Sequence, residues 1–186
     1  MYERENILRI FQETKNAVVK KDSREIRRLS DQTTNSASLT HDPDNIAAAV
    51  IVYSLSEMLE RGDYEKLPGW EKFYRLYLDS IDKIIEALKN KDDNSYRENI
   101  SKIREFIEKL SGKLKENIQE VFRRASIDKA SKIYNHGISM GITAKLLGVT
   151  LFELTDYARG NKFHEISGEN ALNVKTRIKF AMDIFK

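Results

Sequence analysis

Apolar residues recur every three or four positions along most of the chain, and this spacing predicts a series of amphipathic helices. The first stripe predicts a helix over residues 2–20. Its members are Ile7, Ile10, Phe11, Thr14 and Val18. A second helix is expected from Ser23, which can act as its N-cap. No segment alternates apolar and polar residues between turn residues, so we expect no β-sheet.

A third helix is expected to begin at Asp42 and Pro43. Asp42 can cap the helix, and proline suits the first helical position because its missing N–H is not needed there. Residues 46–55 follow and are apolar on nearly every face, which is typical of a buried helix. Gly62 can adopt the left-handed conformation that ends a helix. We therefore expect this helix at the centre of the core.

The middle third of the chain predicts a long antiparallel helical hairpin. Its two apolar stripes are joined by the short polar segment 90–94, and their spacing matches an a/d seam. The stripes consist of Tyr74, Leu78, Ile81, Ile85 and Leu88, and of Tyr96, Ile100, Ile103, Ile107, Leu110, Leu114 and Val121. The second arm is expected to run for about 30 residues, or about 45 Å.

The sequence changes character from Ser126, where short helical patterns alternate with glycines. Residues 143–150 read Thr-Ala-Lys-Leu-Leu-Gly-Val-Thr, and this stretch resembles the core of helix-turn-helix DNA-binding units. Ala144 lets two helices cross closely, Gly148 permits the sharp turn, and Val149 fills the space between them. The preceding run, residues 133–139, together with the pair Phe152-Glu153, is similar to small prokaryotic antitoxin-type proteins that partner PIN toxins.

The resemblance implies contact with DNA through residues 126–160. Cationic side chains of this unit would hold phosphates, and two threonines would lie close to the groove. The candidate nucleic-acid-binding residues are Lys132, Thr143, Lys145, Thr150, Arg159 and Lys162. Residues 121–186 hold 11 Lys and Arg against 6 Asp and Glu, a balance of +5, whereas residues 1–120 hold 21 against 23, a balance of −2. The basic excess therefore accompanies the motif.

The presumed recognition helix departs from the DNA-binding pattern. Base readout uses Arg, Lys, Asn or Gln in its early turns, but here Glu153 and Asp156 stand at outward positions and repel phosphate. Degenerate helix-turn-helix units also serve protein contacts. The alternative hypothesis is therefore a helical adaptor or assembly module that binds another protein rather than DNA.

Composition narrows the remaining possibilities. The chain has no cysteine, which excludes disulfides and thiolate zinc sites, and its longest apolar run spans residues 46–53, far short of a membrane span. No phosphate loop, nucleophile elbow or histidine pair stands out. His41 beside Asp42 and Asp44 suggests a metal site, but capping already accounts for both aspartates. We expect a cytoplasmic protein that is not an enzyme and has no metal or cofactor.

The predicted fold is all-α, a helical bundle with a C-terminal helix-turn-helix unit. Residues 1–125 are expected to form the bundle, residues 126–160 the helix-turn-helix unit, and residues 161–186 a loop and an amphipathic helix that packs on the bundle. The two long apolar stripes can cover each other within one chain, but the first helix and the C-terminal helix then also need partners, so a homodimer is expected. DNA or a protein is the predicted partner, and no membrane is involved.

Overall fold

The computed structural model describes residue 1, residues 3–40, residues 42–135 and residue 141, and it confirms the all-α class. The helices of this part of the chain are α1 (Arg4–Val19), α2 (Ser23–Thr40), α3 (Pro43–Arg61), α4 (Trp70–Lys89), α5 (Asp93–Glu108) and α6 (Gly112–Asn135), with a 3₁₀ turn (Asp63–Lys66) between α3 and α4. Within the described residues, no helix is both long enough and apolar enough to cross a membrane.

The first and third helices form as their patterns predict. All five members of the predicted α1 stripe are buried. Asp42 caps α3 by accepting the Asp44 N–H at 2.9 Å, and Pro43 occupies the first turn. Gly62 ends α3 in the left-handed conformation, with φ of 63°. These signals are local, since each depends on one turn of backbone.

The α3 helix lies at the centre of the bundle, as expected, and two tyrosines fix its position. The Tyr77 hydroxyl of α4 donates to the Ile51 carbonyl oxygen at 2.7 Å, and the Tyr96 hydroxyl of α5 donates to the Asp44 carbonyl oxygen at 2.8 Å. Both tyrosines are fully buried, and burial raises the pKa of each hydroxyl well above its ordinary value. The two phenols therefore remain neutral donors to the backbone of α3.

The prediction of a 30-residue second arm for the hairpin is wrong. α5 ends at Glu108, residues 109–111 form a break, and α6 begins at Gly112 with φ of 58°. The apolar stripe continues through the break because Leu110 and Leu114 both pack on the core. The chain thus changes direction within one continuous apolar pattern, which the spacing alone does not reveal.

The described helices fall into two successive sets of three, which we call units, and many buried positions recur between them after 70 residues. The first unit is α1–α3 and the second is α4–α6. Buried positions in α1 and α4 match at 7/77, 10/80, 11/81, 14/84, 17/87 and 18/88; those in α2 and α5 match at 26/96, 29/99, 30/100, 33/103 and 37/107; those in α3 and α6 match at 44/114, 48/118, 51/121 and 55/125.

The turn inside each hairpin has the same geometry. Lys21 and Lys91 adopt left-handed φ values of 52° and 58°. The N–H groups of Asp22 and Asp92, one residue later, both bond back to a helical carbonyl at 2.9 Å. Each aspartate then accepts N–H groups of the following helix, so Asp22 caps α2 in place of the predicted Ser23. These two turns are Schellman motifs with lysine at the position that glycine usually occupies.

Candidate functional site

Most of the predicted DNA-contacting residues lie outside the described part of the chain. Lys132 lies in the last turns of α6, and the other candidates fall among residues 142–186. Those outside the described residues are Thr143, Lys145, Thr150, Arg159 and Lys162. The predicted boundary between residues 125 and 126 lies within α6, which continues to Asn135. The bundle is therefore joined to the motif region by a helix that belongs to both predicted segments.

A buried lysine fixes α6 to the first unit. The side chain of Lys129 is fully buried, and its Nζ lies 2.9 Å from Asp31 Oδ1 of α2 and 3.7 Å from Asp128 Oδ2. The same Nζ lies 4.3 Å from the centroid of the Tyr53 ring of α3. A buried ammonium needs such partners because leaving it unpaired costs several kcal/mol. Lys129 thus ties α2, α3 and α6 together.

A second cation lies against the same tyrosine ring. Arg27 Cζ lies 5.4 Å from the Tyr53 centroid, and the Arg27 guanidinium pairs with Glu57 and with Glu60 at 2.8 Å. Burial, followed by the negative charges of Asp128 and Glu57, raises the pKa of Tyr53 above its ordinary value. Tyr53 therefore stays neutral and offers a π-face to two cations. This charged cluster positions α6 and leaves the phenol unsuited to proton transfer at neutral pH.

The two aspartates considered as metal ligands, Asp42 and Asp44, have structural roles in the described part of the chain. Asp42 caps α3, and the Asp44 carboxylate accepts two hydrogen bonds from Arg97, at 2.9 and 3.1 Å. Among the described residues, no group of three or more His, Asp or Glu side chains is arranged to hold a metal ion. Asp42 thus stabilises the start of α3, and Asp44 joins α3 to Arg97 of α5.

One feature that the sequence does not predict is an apolar cavity of about 320 Å³ at one end of the second unit. It lies between the beginning of α4, the end of α5 and the beginning of α6. Its apolar walls are Phe73, Leu76, Phe106, Leu110 and Leu114. The volume lies at the lower end of the range of about 300–1,000 Å³ that is typical of small-molecule sites. We call this space the α4–α6 cavity.

The mouth of the α4–α6 cavity is polar and basic. Lys72, Lys109 and Ser111 complete the lining together with Pro68 and Gly69, and no carboxylate is among the lining residues. The N-cap of α4 is Gly69, so no side chain caps the first turn of that helix. Uncapped N–H groups and the positive end of the helix dipole both favour a negative charge there.

The equivalent end of the first unit is closed by polar side chains. Asn6 Nδ2 donates to Ser36 Oγ at 3.1 Å, and Asn45 Nδ2 donates to Thr40 Oγ1 at 3.2 Å and to Glu3 Oε2 at 3.4 Å. Seventy residues later, Glu3, Asn6, Ser36 and Thr40 correspond to Phe73, Leu76, Phe106 and Leu110, all in the cavity wall. α2 also packs closely along α3, whereas α5 and α6 touch much less.

A comparison of the sequence with itself at an offset of 70 residues could have located this site. The same four positions are polar in one copy and apolar in the other, although their helices share one burial pattern. Comparisons with protein-family models, with curated proteins and with solved structures give no match for this chain, so the proposals below rest on its own residues.

Proposed function

We propose that the chain is a cytoplasmic DNA-associated regulatory protein, a prokaryotic transcription regulator or antitoxin-like protein, that contacts DNA through residues 126–160. The observation that carries the proposal is the sequence of residues 143–150, which resembles a helix-turn-helix core and has an alanine and a glycine at the positions where such a core needs a close crossing and a turn. α6 ends at Asn135, shortly before this stretch. In this proposal the bundle is a rigid platform for the motif.

The charge distribution supports the same proposal. The balance of +5 over residues 121–186, against −2 over residues 1–120, would direct a polyanion to the C-terminal part of the chain. Lysines and arginines hold phosphates without reading sequence. Because Glu153 and Asp156 oppose phosphate, the proposed binding is of modest affinity and depends strongly on salt.

The test is a fluorescence-anisotropy titration of the full chain with a labelled mixed-sequence duplex. Binding is expected at 50 mM salt, with a loss of about tenfold or more at 200 mM for a few phosphate contacts. The double variant Lys145→Ala with Arg159→Ala should bind all sequences more weakly. Glu153→Gln should bind more tightly, because it removes a negative charge that repels phosphate.

A matched control removes the same number of positive charges from the bundle. Lys83 of α4 and Arg104 of α5 are both exposed, and the double variant Lys83→Ala with Arg104→Ala should bind the duplex like the parent chain. Absence of binding at 50 mM salt would contradict the proposal. Equal losses in the two double variants would mean that only net charge matters, which contradicts a specific role for residues 126–160.

A homodimer is part of the proposal, because dimers match the paired half-sites that helix-turn-helix proteins usually read. Light scattering of the full chain should then give about twice the mass of the 21.6 kDa chain. A mass of one chain at high concentration would remove the dimer and, with it, binding to paired half-sites.

The second candidate function is a helical adaptor that binds another protein through the same region. Glu153 and Asp156 are the observation that favours it, because acidic side chains at outward positions suit a basic protein partner. The Glu153→Gln variant separates the two candidates. Tighter DNA binding by this variant supports the regulator, and a chain that binds no DNA with or without this change leaves the adaptor.

A further inference from the structure

We propose that the α4–α6 cavity binds a small aliphatic carboxylic acid, with its hydrocarbon chain between the helices and its carboxylate at Lys72 and Lys109. The inference goes beyond the proposed function and does not depend on it, since the binding is measured on the protein without DNA. It rests on the chemistry of the cavity wall, the charge at its mouth and the contrast with the first unit.

The interior of the cavity suits hydrocarbon. Four apolar side chains from three helices line the space together with Leu110 of the break between α5 and α6, and Phe73 and Leu114 are almost completely buried. An alkyl chain that leaves water for this wall is stabilised in proportion to the apolar surface that it buries. The volume of about 320 Å³ admits a short chain rather than a large cofactor.

The lysines at the mouth favour a head group with a negative charge. Lys72 has no ion-pair partner among the described residues, and Lys109 lies 3.8 Å from Glu105 in a pair whose two side chains are both well exposed. Such an exposed pair contributes little and is easily exchanged for another anion. With the uncapped first turn of α4 beside them, the two lysines offer a carboxylate charge-assisted hydrogen bonds.

Within the described residues, the first unit has no such opening at its equivalent end. At the four equivalent positions the first unit has polar side chains, which bond to one another or to Asn45 and close the same space. An apolar wall that leaves contacts unmade costs stability, because its atoms lose dispersion partners. Of the two described units, only the second has such a wall, and an occupant would supply the missing contacts. Because the mouth is basic, an anionic occupant is the best match.

The experiment is a calorimetric titration of the full chain with octanoate, and with octanol as the neutral probe of equal chain length. We expect one octanoate per chain with a dissociation constant of about 0.1–1 mM, which is appropriate for so small a ligand. Octanol should bind at least about fivefold more weakly. Trp70, the single tryptophan of the chain, lies next to Gly69 and Phe73 of the cavity wall, so its fluorescence should change with octanoate.

Two sets of variants test the two parts of the site. The double variant Lys72→Ala with Lys109→Ala should weaken octanoate about tenfold and leave octanol unchanged, while the exposed pair Lys83→Ala with Lys89→Ala should alter neither. The double variant Leu76→Phe with Leu110→Phe fills the space and should abolish both, with circular dichroism as the check that it folds. The lysine variants lie on the surface and keep the test valid if the filled variant does not fold.

Three results would overturn the proposal. The first is no octanoate binding at 10 mM, which would also be the result if another segment or a second copy of this chain filled the cavity. The second is equal affinity for octanol and octanoate, which would remove the role of the lysines. The third is unchanged octanoate binding by the folded, cavity-filled variant, which would place the ligand elsewhere.

Discussion

Residues 36–45 close the end of the first unit with side-chain hydrogen bonds, and residues 106–115, seventy positions later, leave the same end of the second unit open. The first two helices of each unit share most of their buried positions, their hairpin turn and its left-handed lysine. The difference therefore arises from a few side chains at one end and from the sparse packing of α5 against α6. It teaches that one helical framework can be closed by polar pairs or left open by apolar ones.

The third helices of the two units differ in a related way. α3 is apolar on nearly every face and contacts helices of both units, whereas α6 has exposed charged residues along much of its length and is fixed by the buried Lys129. A helix buried on all sides cannot move without disturbing the whole core. α6 packs little against α5 near Leu114, and this is why the opening is at that end.

The largest effects are expected where the two units share one core. Phe11 and Ile81 are matched positions and both are almost completely buried, so Phe11→Ala and Ile81→Ala should each cost about 3–4 kcal/mol of unfolding free energy. Urea unfolding should show a single transition, with circular dichroism and Trp70 fluorescence coinciding. Separate transitions in either variant would mean that the units are independent domains.

Smaller effects are expected where the units differ. Asn45 is fully buried and donates to Glu3 and Thr40, so Asn45→Ala should cost about 1–3 kcal/mol by removing these two hydrogen bonds and the buried side chain that makes them. Lys115 is its equivalent in the open unit and is only partly buried; Lys115→Ala should change stability by less than about 0.5 kcal/mol. Similar losses at both positions, measured by urea unfolding, would break the contrast.

The pH dependence of stability should distinguish the starts of α2 and α5. Asp93 accepts a hydrogen bond from Arg4 Nη2 at 2.7 Å and lies 3.5 Å from the N-terminal amine. The Arg4 hydrogen bond, together with the positive charges of Arg4 and the amine, lowers the pKa of Asp93 below its ordinary value. A carboxylate with a lowered folded pKa stabilises the fold above the unfolded pKa of about 3.9 and loses this contribution as pH falls through the folded value.

Asp93→Asn should therefore cost about 0.5–1 kcal/mol at pH 7, since the pair is partly exposed. The difference from the parent chain should shrink as the pH falls below about 4. The equivalent change in the first unit, Ser23→Ala, should show no such pH dependence. Thermal unfolding between pH 2 and pH 7 measures both variants, and a difference that persists at pH 2 would assign the loss to something other than the charge of Asp93.

The smallest change in stability is expected at the hairpin turns, which the two units share most closely. Lys21 and Lys91 adopt left-handed backbone conformations, which cost a non-glycine residue about 1–2 kcal/mol, partly offset by the greater entropy of glycine in the unfolded chain. Lys21→Gly and Lys91→Gly should each stabilise the protein by about 0.5 kcal/mol. Unequal shifts of the urea midpoint would show that the two turns are under different strain.

Local signals account for what the sequence predicts correctly. The stripe of α1, the Asp42 cap and the Gly62 stop each depend on a few neighbouring residues. In α4 the predicted members Tyr74, Leu78 and Ile85 lie at the edge of the buried face. The centre of the buried face passes through Phe73, Tyr77 and Ile84. The sequence does not predict this centre, because an apolar face this wide does not specify which side meets its partners.

Tertiary packing accounts for what the sequence does not predict. The helix breaks between α5 and α6 although the apolar stripe continues, and only Ser111 and Gly112 indicate this break in the sequence. Lys129 is one of 32 Lys and Arg residues, and its burial depends on Asp31 and Tyr53, which are distant in sequence. The cavity exists because α5 and α6 separate, and no single segment encodes that distance.

Amide hydrogen exchange tests the central contrast most directly. The last turn of α5 and the first turns of α6 should exchange at least about tenfold faster than the equivalent turns of α2 and α3, because sparse packing lowers the free energy of local opening. Octanoate should slow exchange at the second unit and leave the first unit unchanged. Equal exchange at the two ends, or protection of both by octanoate, would contradict the account of one closed unit and one open unit.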